Sequence, residues 1–268
     1  MLRIDFAQLP DTVRQAVANL TGPIRSTQTR SSDGLSALAA VLHTQSGTYL
    51  VKGTPLDQPE AHAQQLEVRL NPYLPASCPR LVWHVEVGGW TLLGYEAIQG
   101  RQADYKAPED LRLVLAAMEE LQGIQAPLIA DLQTVPDRWG QYADDGQRRL
   151  FAGNALLRMD WAPDNVLIAD GRAHLVHWAW ATRGAGWIDP YMLALRLLEA
   201  GHTSKQAVDY VRRVRSWREG NPAAIRAFSA AAARAWYDIA SEEPVSWKVD
   251  MTGHAAELRA FLTLESGT

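Results

Sequence analysis

Hydrophobic positions change their period near residue 100. Before that point the apolar runs are short and bounded by turn formers. Residues 35–44 read LSALAAVLHT, Gln45-Ser46-Gly47 offers a turn, and residues 48–51 form a second strand that ends in Lys52. Residues 58–70 hold no glycine, and no proline beyond Pro59, and predict a helix. Residues 81–87 and 90–98 predict another hairpin, turning at Gly88-Gly89. After a connector over residues 99–107 the period becomes helical. Leu111, Val114, Leu115, Met118 and Leu121 lie on one face of a helix that opens at Pro108 and runs to Gln122. Residues 189–200, 203–219, 222–240 and 250–264 also predict helices, separated by Gly201, Gly220-Asn221-Pro222 and Glu243-Pro244. Between the helical blocks lies one more β unit, residues 166–169 and 173–178, joined across Asp170-Gly171. The expected class is α+β. Residues 1–98 form an N-terminal antiparallel sheet lobe with a helix, and residues 108–268 a mainly helical C-terminal lobe with an embedded β-hairpin.

The chain has 268 residues, 47% of them hydrophobic, enough for one large domain or two lobes with a proper core. The net charge is −4, and the densest basic cluster (Arg212, Arg213, Arg215, Arg218) falls on an amphipathic helix pattern, so nucleic acid is not an expected partner. A single cysteine, Cys78, excludes an internal disulfide and a cysteine-built zinc site. The N-terminus has no continuous apolar stretch, and nowhere do eighteen apolar residues run together. Neither signal peptide nor membrane span is expected, and the chain reads as cytoplasmic.

The chemistry concentrates between Leu156 and Pro190. A two-residue turn at Asp170-Gly171 sets Asn165 across from Val176 and brings His177 beside Asp164, with Asp160 on the loop that feeds the first strand. Asp160, Asn165 and His177 are thereby expected at one open end of the hairpin. The residues alone leave two readings open: a site, or strand-end side chains bonded to nearby backbone.

The segment Asp160-Trp161-Ala162-Pro163-Asp164-Asn165 resembles the catalytic loop of the aminoglycoside phosphotransferases and related small-molecule kinases, His-Gly-Asp-x-x-x-x-Asn. The resemblance extends to the bacterial branch with a Trp-x-Trp element, through Trp178-Ala179-Trp180 and on to Asp189-Pro190, which opens a helix in a structural role. It implies a two-lobed, protein-kinase-like fold with Asp160 as catalytic base and Asn165 as a metal ligand. Lys52 resembles the lysine that holds the nucleotide phosphates, and Glu67 the helix glutamate that pairs with it. Gly34 and Ser36, in Asp33-Gly34-Leu35-Ser36, stand where a phosphate-covering loop belongs. Tyr95, Glu96 and Ala97 resemble the hinge whose backbone binds adenine. ATP and Mg²⁺ are the implied cofactors, and a small molecule is the implied partner.

Two positions depart from the pattern. The loop histidine is Arg158, which perturbs loop support or places a cation near an anion. The metal-binding aspartate, expected after an apolar pair, is His177 in Leu175-Val176-His177-Trp178, so the metal motif is degenerate. Magnesium prefers anionic oxygen, whereas imidazole suits softer metals. Losing such a ligand should cost about a hundredfold in rate, roughly 3 kcal/mol. Ten tryptophans are present. Trp161 and Trp180 are candidates for stacking a substrate, and Trp178 and Trp180 share a face if the strand runs that far. Three functions follow from the resemblance and its breaks. One is ATP-dependent phosphoryl transfer to a small-molecule hydroxyl. The second is a pseudokinase that binds nucleotide or small molecule without transfer. The third is a kinase fold repurposed for acid–base chemistry with His177 and Asp160.

Overall fold

The computed structural model describes residues 3–30 and 36–265. The chain forms two compact units, Met1–Arg101 with His174–Ala179 and Gln102–Ala173 with Trp180–Thr268.

The first unit opens with helix α1 (Asp11–Thr21), followed by β1 (Ile24–Thr29), β2 (Leu38–Thr44) and β3 (Thr48–Pro55). Helix α2 (Glu60–Leu70) and the hairpin β4 (Leu81–Val87) and β5 (Trp90–Glu96) complete it. The five strands make one antiparallel sheet ordered β1-β2-β3-β5-β4. The period of two along each strand sends alternate side chains to opposite faces. Leu38, Ala40, Leu42, Val51 and Leu92 point to one face and pack with Phe6, Leu9, Val13 and Val17 of the α1 region into a core. The next residues along the strands, Lys52 and Thr54, are buried as well. A helix therefore covers each face, and the nearly continuous apolar run of β2 reflects burial on both.

Helix α1 and strand β1 lie outside the elements the sequence pattern predicts, and β1 (IRSTQT) carries no apolar alternation and is mostly exposed. Strand β3 runs past the predicted end at Lys52 to Pro55, so Lys52 is a mid-strand residue.

The second unit begins as strand β6 (Arg101–Gln102) passes into helix α3 (Pro108–Gln122), followed by α4 (Val135–Trp139) and β7 (Ala155–Leu157). Then come β8 (Val166–Ala169) and β9 (Arg172–Leu175), with Asp170 and Gly171 both at positive φ (49° and 70°) in the two-residue turn. Strands β6, β8 and β9 form a three-stranded sheet. Strand β10 (Thr182–Gly184) pairs antiparallel with β7. Helices α5 (Ile188–Glu199), α6 (Ser204–Val211), α7 (Arg215–Glu219), α8 (Pro222–Glu242) and α9 (Ser246–Leu264) follow. The expected helix over 203–219 is broken into α6 and α7 at residues 212–214.

Trp139 and Trp187 pack into the aromatic core around Phe228. Phe228 lies within 5.2–5.7 Å of Phe151, Trp139, Trp187 and Tyr191, ring centroid to centroid. No helix among the described residues is long and apolar enough to cross a membrane.

Candidate functional site

In the first unit, β3, α2 and β5 converge on a buried charge pair. Glu67 lies one helical turn beyond Gln64 on the covered face of α2. Lys52 Nζ donates to both Glu67 oxygens, at 3.0 and 2.8 Å, and the Tyr95 hydroxyl donates to Glu67 Oε2 at 2.8 Å. All three residues are buried, Lys52 only 4% exposed. Burial, then the Glu67 carboxylate, hold the Tyr95 phenol well above its usual range. Gln64 fixes the same helix face, donating to Ser36 Oγ at 3.0 Å and Thr54 Oγ1 at 2.9 Å. Ser36 thus serves the helix, while Gly34 lies outside the described residues.

His177 belongs to this unit. The strand β9 ends at Leu175, whose amide donates to Ser77 O at 2.8 Å, and His177 then takes a left-handed φ of 64°. Val176, His177 and Trp178 line a cavity of about 20 Å³ together with Lys52, Glu67 and Tyr95. That volume suits one water molecule.

The expected ladder between Asn165 and Val176 does not form. Asn165 closes a 3₁₀ turn (Pro163–Asn165) before β8, and Val176 follows the end of β9. Nor do Trp178 and Trp180 share a strand face. Trp178 is buried with its indole N–H on Leu175 O, whereas Trp180 is 52% exposed with the Arg138 guanidinium 5.0 Å from its ring.

In the second unit, β7 delivers the chain into the loop that holds Asp160. The buried carboxylate of Asp189, in the first turn of α5, accepts the backbone amides of Arg158 and Met159, both at 2.9 Å. Those bonds hold Met159 at a φ of 69°, a conformation costly for a side chain of its size. Burial raises the Asp189 carboxyl above its usual range, against the lowering effect of the two amides. Arg158, 1% exposed, grips the loop from inside, donating to the carbonyls of Asp160 and Asn165, the latter at 2.7 Å. Trp161 is fully buried, with the Arg158 guanidinium 5.5 Å from its ring and its carbonyl accepting from Tyr105 at 2.7 Å. Trp161 therefore offers no open stacking face.

Asp160 receives three donors. Asn165 Nδ2 reaches Oδ2 at 2.7 Å, while Ala162 N at 3.2 Å and Arg196 Nη2 at 3.3 Å reach Oδ1. A carboxylate accepts about four hydrogen bonds, so capacity for one more remains. Asp164 stands close enough that burial, then the Asp160 charge, raise its carboxyl above the usual range.

No family model and no curated protein matches the chain. Solved structures do match its fold. Choline kinase LicA from Streptococcus pneumoniae aligns over 92% of this chain and 97% of its own, with a TM-score of 0.60 at 12% identity. Aminoglycoside phosphotransferase APH(4)-Ia aligns over 92% and 97%, with a TM-score of 0.64 at 15% identity. A thermostable mutant of it, solved as a ternary complex with ADP and hygromycin B, covers 92% of this chain and 98% of its own at 15% identity and TM-score 0.62. The chain has the fold of the small-molecule kinases.

Within this kinase-like fold, Lys52 and Glu67 stand paired, as the resemblance implies, and Asp160 and Asn165 stand bonded to each other. The hinge segment is split in its contacts. Tyr95 turns its hydroxyl inward to Glu67, while Glu96 donates its amide to Arg80 O at 3.0 Å and accepts the Arg80 amide on Oε2 at 3.3 Å. Ala97 follows the end of β5. Arg196 was not foreseen, because it reads as one more cation on an amphipathic helix until α5 is docked.

Among the described residues no group of three or more His, Cys, Asp or Glu side chains is arranged to hold a metal. His177 offers nitrogen where magnesium prefers an anionic oxygen. Asn165 gives its Nδ2–H to Asp160, which leaves its carbonyl oxygen as the atom a cation would use.

Proposed function

We propose that this chain binds ATP and transfers its γ-phosphoryl group to a hydroxyl of a small molecule. The observation that carries the reading is the buried Lys52–Glu67 pair. Two charges withdrawn from water are costly unless tightly paired, and a bidentate lock on a mid-strand lysine is the arrangement that fixes an ammonium for phosphate oxygens. The bonded Asp160–Asn165 loop supplies the second half. The acceptor hydroxyl gives its proton to the free acceptor position on Asp160 as its oxygen forms the new bond to phosphorus. The bond from phosphorus to the ADP oxygen breaks, and ADP leaves. In-line positioning and fixed charges supply the rate. Solved relatives of the fold carry ADP and hygromycin B, which supports a nucleotide and a small-molecule acceptor here.

His177 favours a second reading, a protein of this fold that binds nucleotide without transferring phosphate. An imidazole, rather than a carboxylate, in the wall beside Lys52 speaks for it. No observation favours acid–base chemistry by His177 and Asp160.

Thermal unfolding with ATP, with and without Mg²⁺ or Mn²⁺, is the first test. Both readings expect ATP to raise Tm by several degrees at a concentration about a hundred times Kd. An unmoved Tm under every condition removes them together. Stabilisation without phosphoryl transfer to any of a panel of amino sugars, amino alcohols and sugars leaves the binding reading.

A further inference from the structure

Arg196 is the charged group nearest Asp160 that no catalytic motif names. It sits in the last turn of α5, and its side chain is 15% exposed. One guanidinium nitrogen lies 3.3 Å from Asp160 Oδ1, and the other donates to Glu199 Oε2 at 2.9 Å and lies 3.9 Å from the Met251 sulfur on α9. The fork is thus clamped from two further directions and cannot swing away without losing Glu199 and its packing on α9. On the Asp160 side, Oδ1 takes Arg196 and the Ala162 amide, so Asn165 holds Oδ2 alone. The carboxylate plane is fixed, and the remaining acceptor position is confined to one oxygen.

We propose that Arg196 is the positioning residue for Asp160, a fixed cation that aims the carboxylate. The inference rests on the phosphotransferase reading for its kinetic consequence, but not for the pair itself. Burial alone would lower the arginine's affinity for its proton. The Asp160 and Glu199 carboxylates more than offset that and raise it, so the cation persists throughout the working pH range.

The test uses full-length Arg196→Gln, Arg196→Lys and Asp160→Asn, with the double variant R196Q/D160N. In a phosphoryl-transfer or ATP-hydrolysis assay, Arg196→Gln should lower kcat about tenfold to a hundredfold with KM for ATP within about twofold. Arg196→Lys should recover part of the loss, and Arg196→Gln should add little once Asp160 is Asn. An equal loss in both Asp160 backgrounds, or a change confined to KM, overturns the proposal. If the wild-type protein binds ATP but turns nothing over, the same four proteins are compared by urea unfolding. Coupling of at least about threefold in the unfolding constant between positions 160 and 196 supports the pair, and strict additivity overturns it. Absence of turnover with coupling intact sinks the transfer reading and leaves the positioning role standing.

Discussion

Asp160 and Asp164 lie four residues apart and meet different fates. Asp160 accepts from Asn165, Ala162 and Arg196, so its charge is answered on both oxygens. Asp164 sits in the 3₁₀ turn, where burial and then the neighbouring Asp160 charge raise its carboxyl above the ordinary value of 3.8. A carboxyl whose affinity for its proton is higher in the folded state opposes folding when ionised, and the penalty is relieved as pH falls through the raised range. Asp164→Asn should therefore raise Tm at pH 7. Its advantage should shrink on acidification and fade near the ordinary aspartate value, as read by thermal melts from pH 7 down to pH 4. An advantage that stays constant across that range would contradict the assignment. Asp189 is a different case at the same scale. Its carboxylate is buried, yet it holds the strained Met159 backbone through two amides, so the penalty of burial is the cost of setting the loop.

Between elements, the Lys52–Glu67 pair ties β3 to α2, and Tyr95 joins β5 to both. Neither partner could be replaced alone without stranding a buried charge. Lys52→Met or Glu67→Leu by itself should destabilise by about 3–5 kcal/mol, while the double variant should recover most of that loss or exceed wild type. Urea unfolding of the three variants reads the cycle. Two single losses that simply add in the double variant would mean the charges are not what couples strand to helix. Here the strand and the helix were legible from the apolar pattern, and the resemblance to a kinase lysine and its helix glutamate picked out Lys52 and Glu67 on them. The end of β3 was not, because Gly53 and Thr54 carry no strand signature. Their places are set by neighbours, Gly53 across from Leu38 and Leu92, and Thr54 accepting from Gln64. Gly94 is similar. A Cβ there would meet the Trp83 indole at 2.0 Å, a constraint that exists only once β4 lies against β5.

At the scale of the whole molecule, the fold is that of the small-molecule kinases, and His177 stands where the sequence resemblance expects a metal-binding aspartate. His177 lines the cavity beside Lys52 and holds a left-handed backbone. His177→Asp should restore an anionic oxygen and make the ATP-induced rise in Tm depend on Mg²⁺, compared with and without chelator. An ATP shift in the variant that ignores Mg²⁺ would show that position 177 does not lie on the metal's path. Aspartate tolerates the left-handed region better than most side chains, so the backbone should accept the change. The alternation of apolar residues, the helix spacings and the Asp-Gly turn carry local information, and by themselves they determined the class and the order of most elements, whereas Lys52, Glu67, Asp160 and Asn165 were singled out by the resemblance of their motifs to a kinase family. Only the tertiary structure decided that Trp161 is core rather than platform, that the strand stops at Leu175, and that Arg196 answers Asp160. Burial, backbone strain and charge pairing across distant segments depend on which surfaces meet, and a one-dimensional pattern holds no record of that.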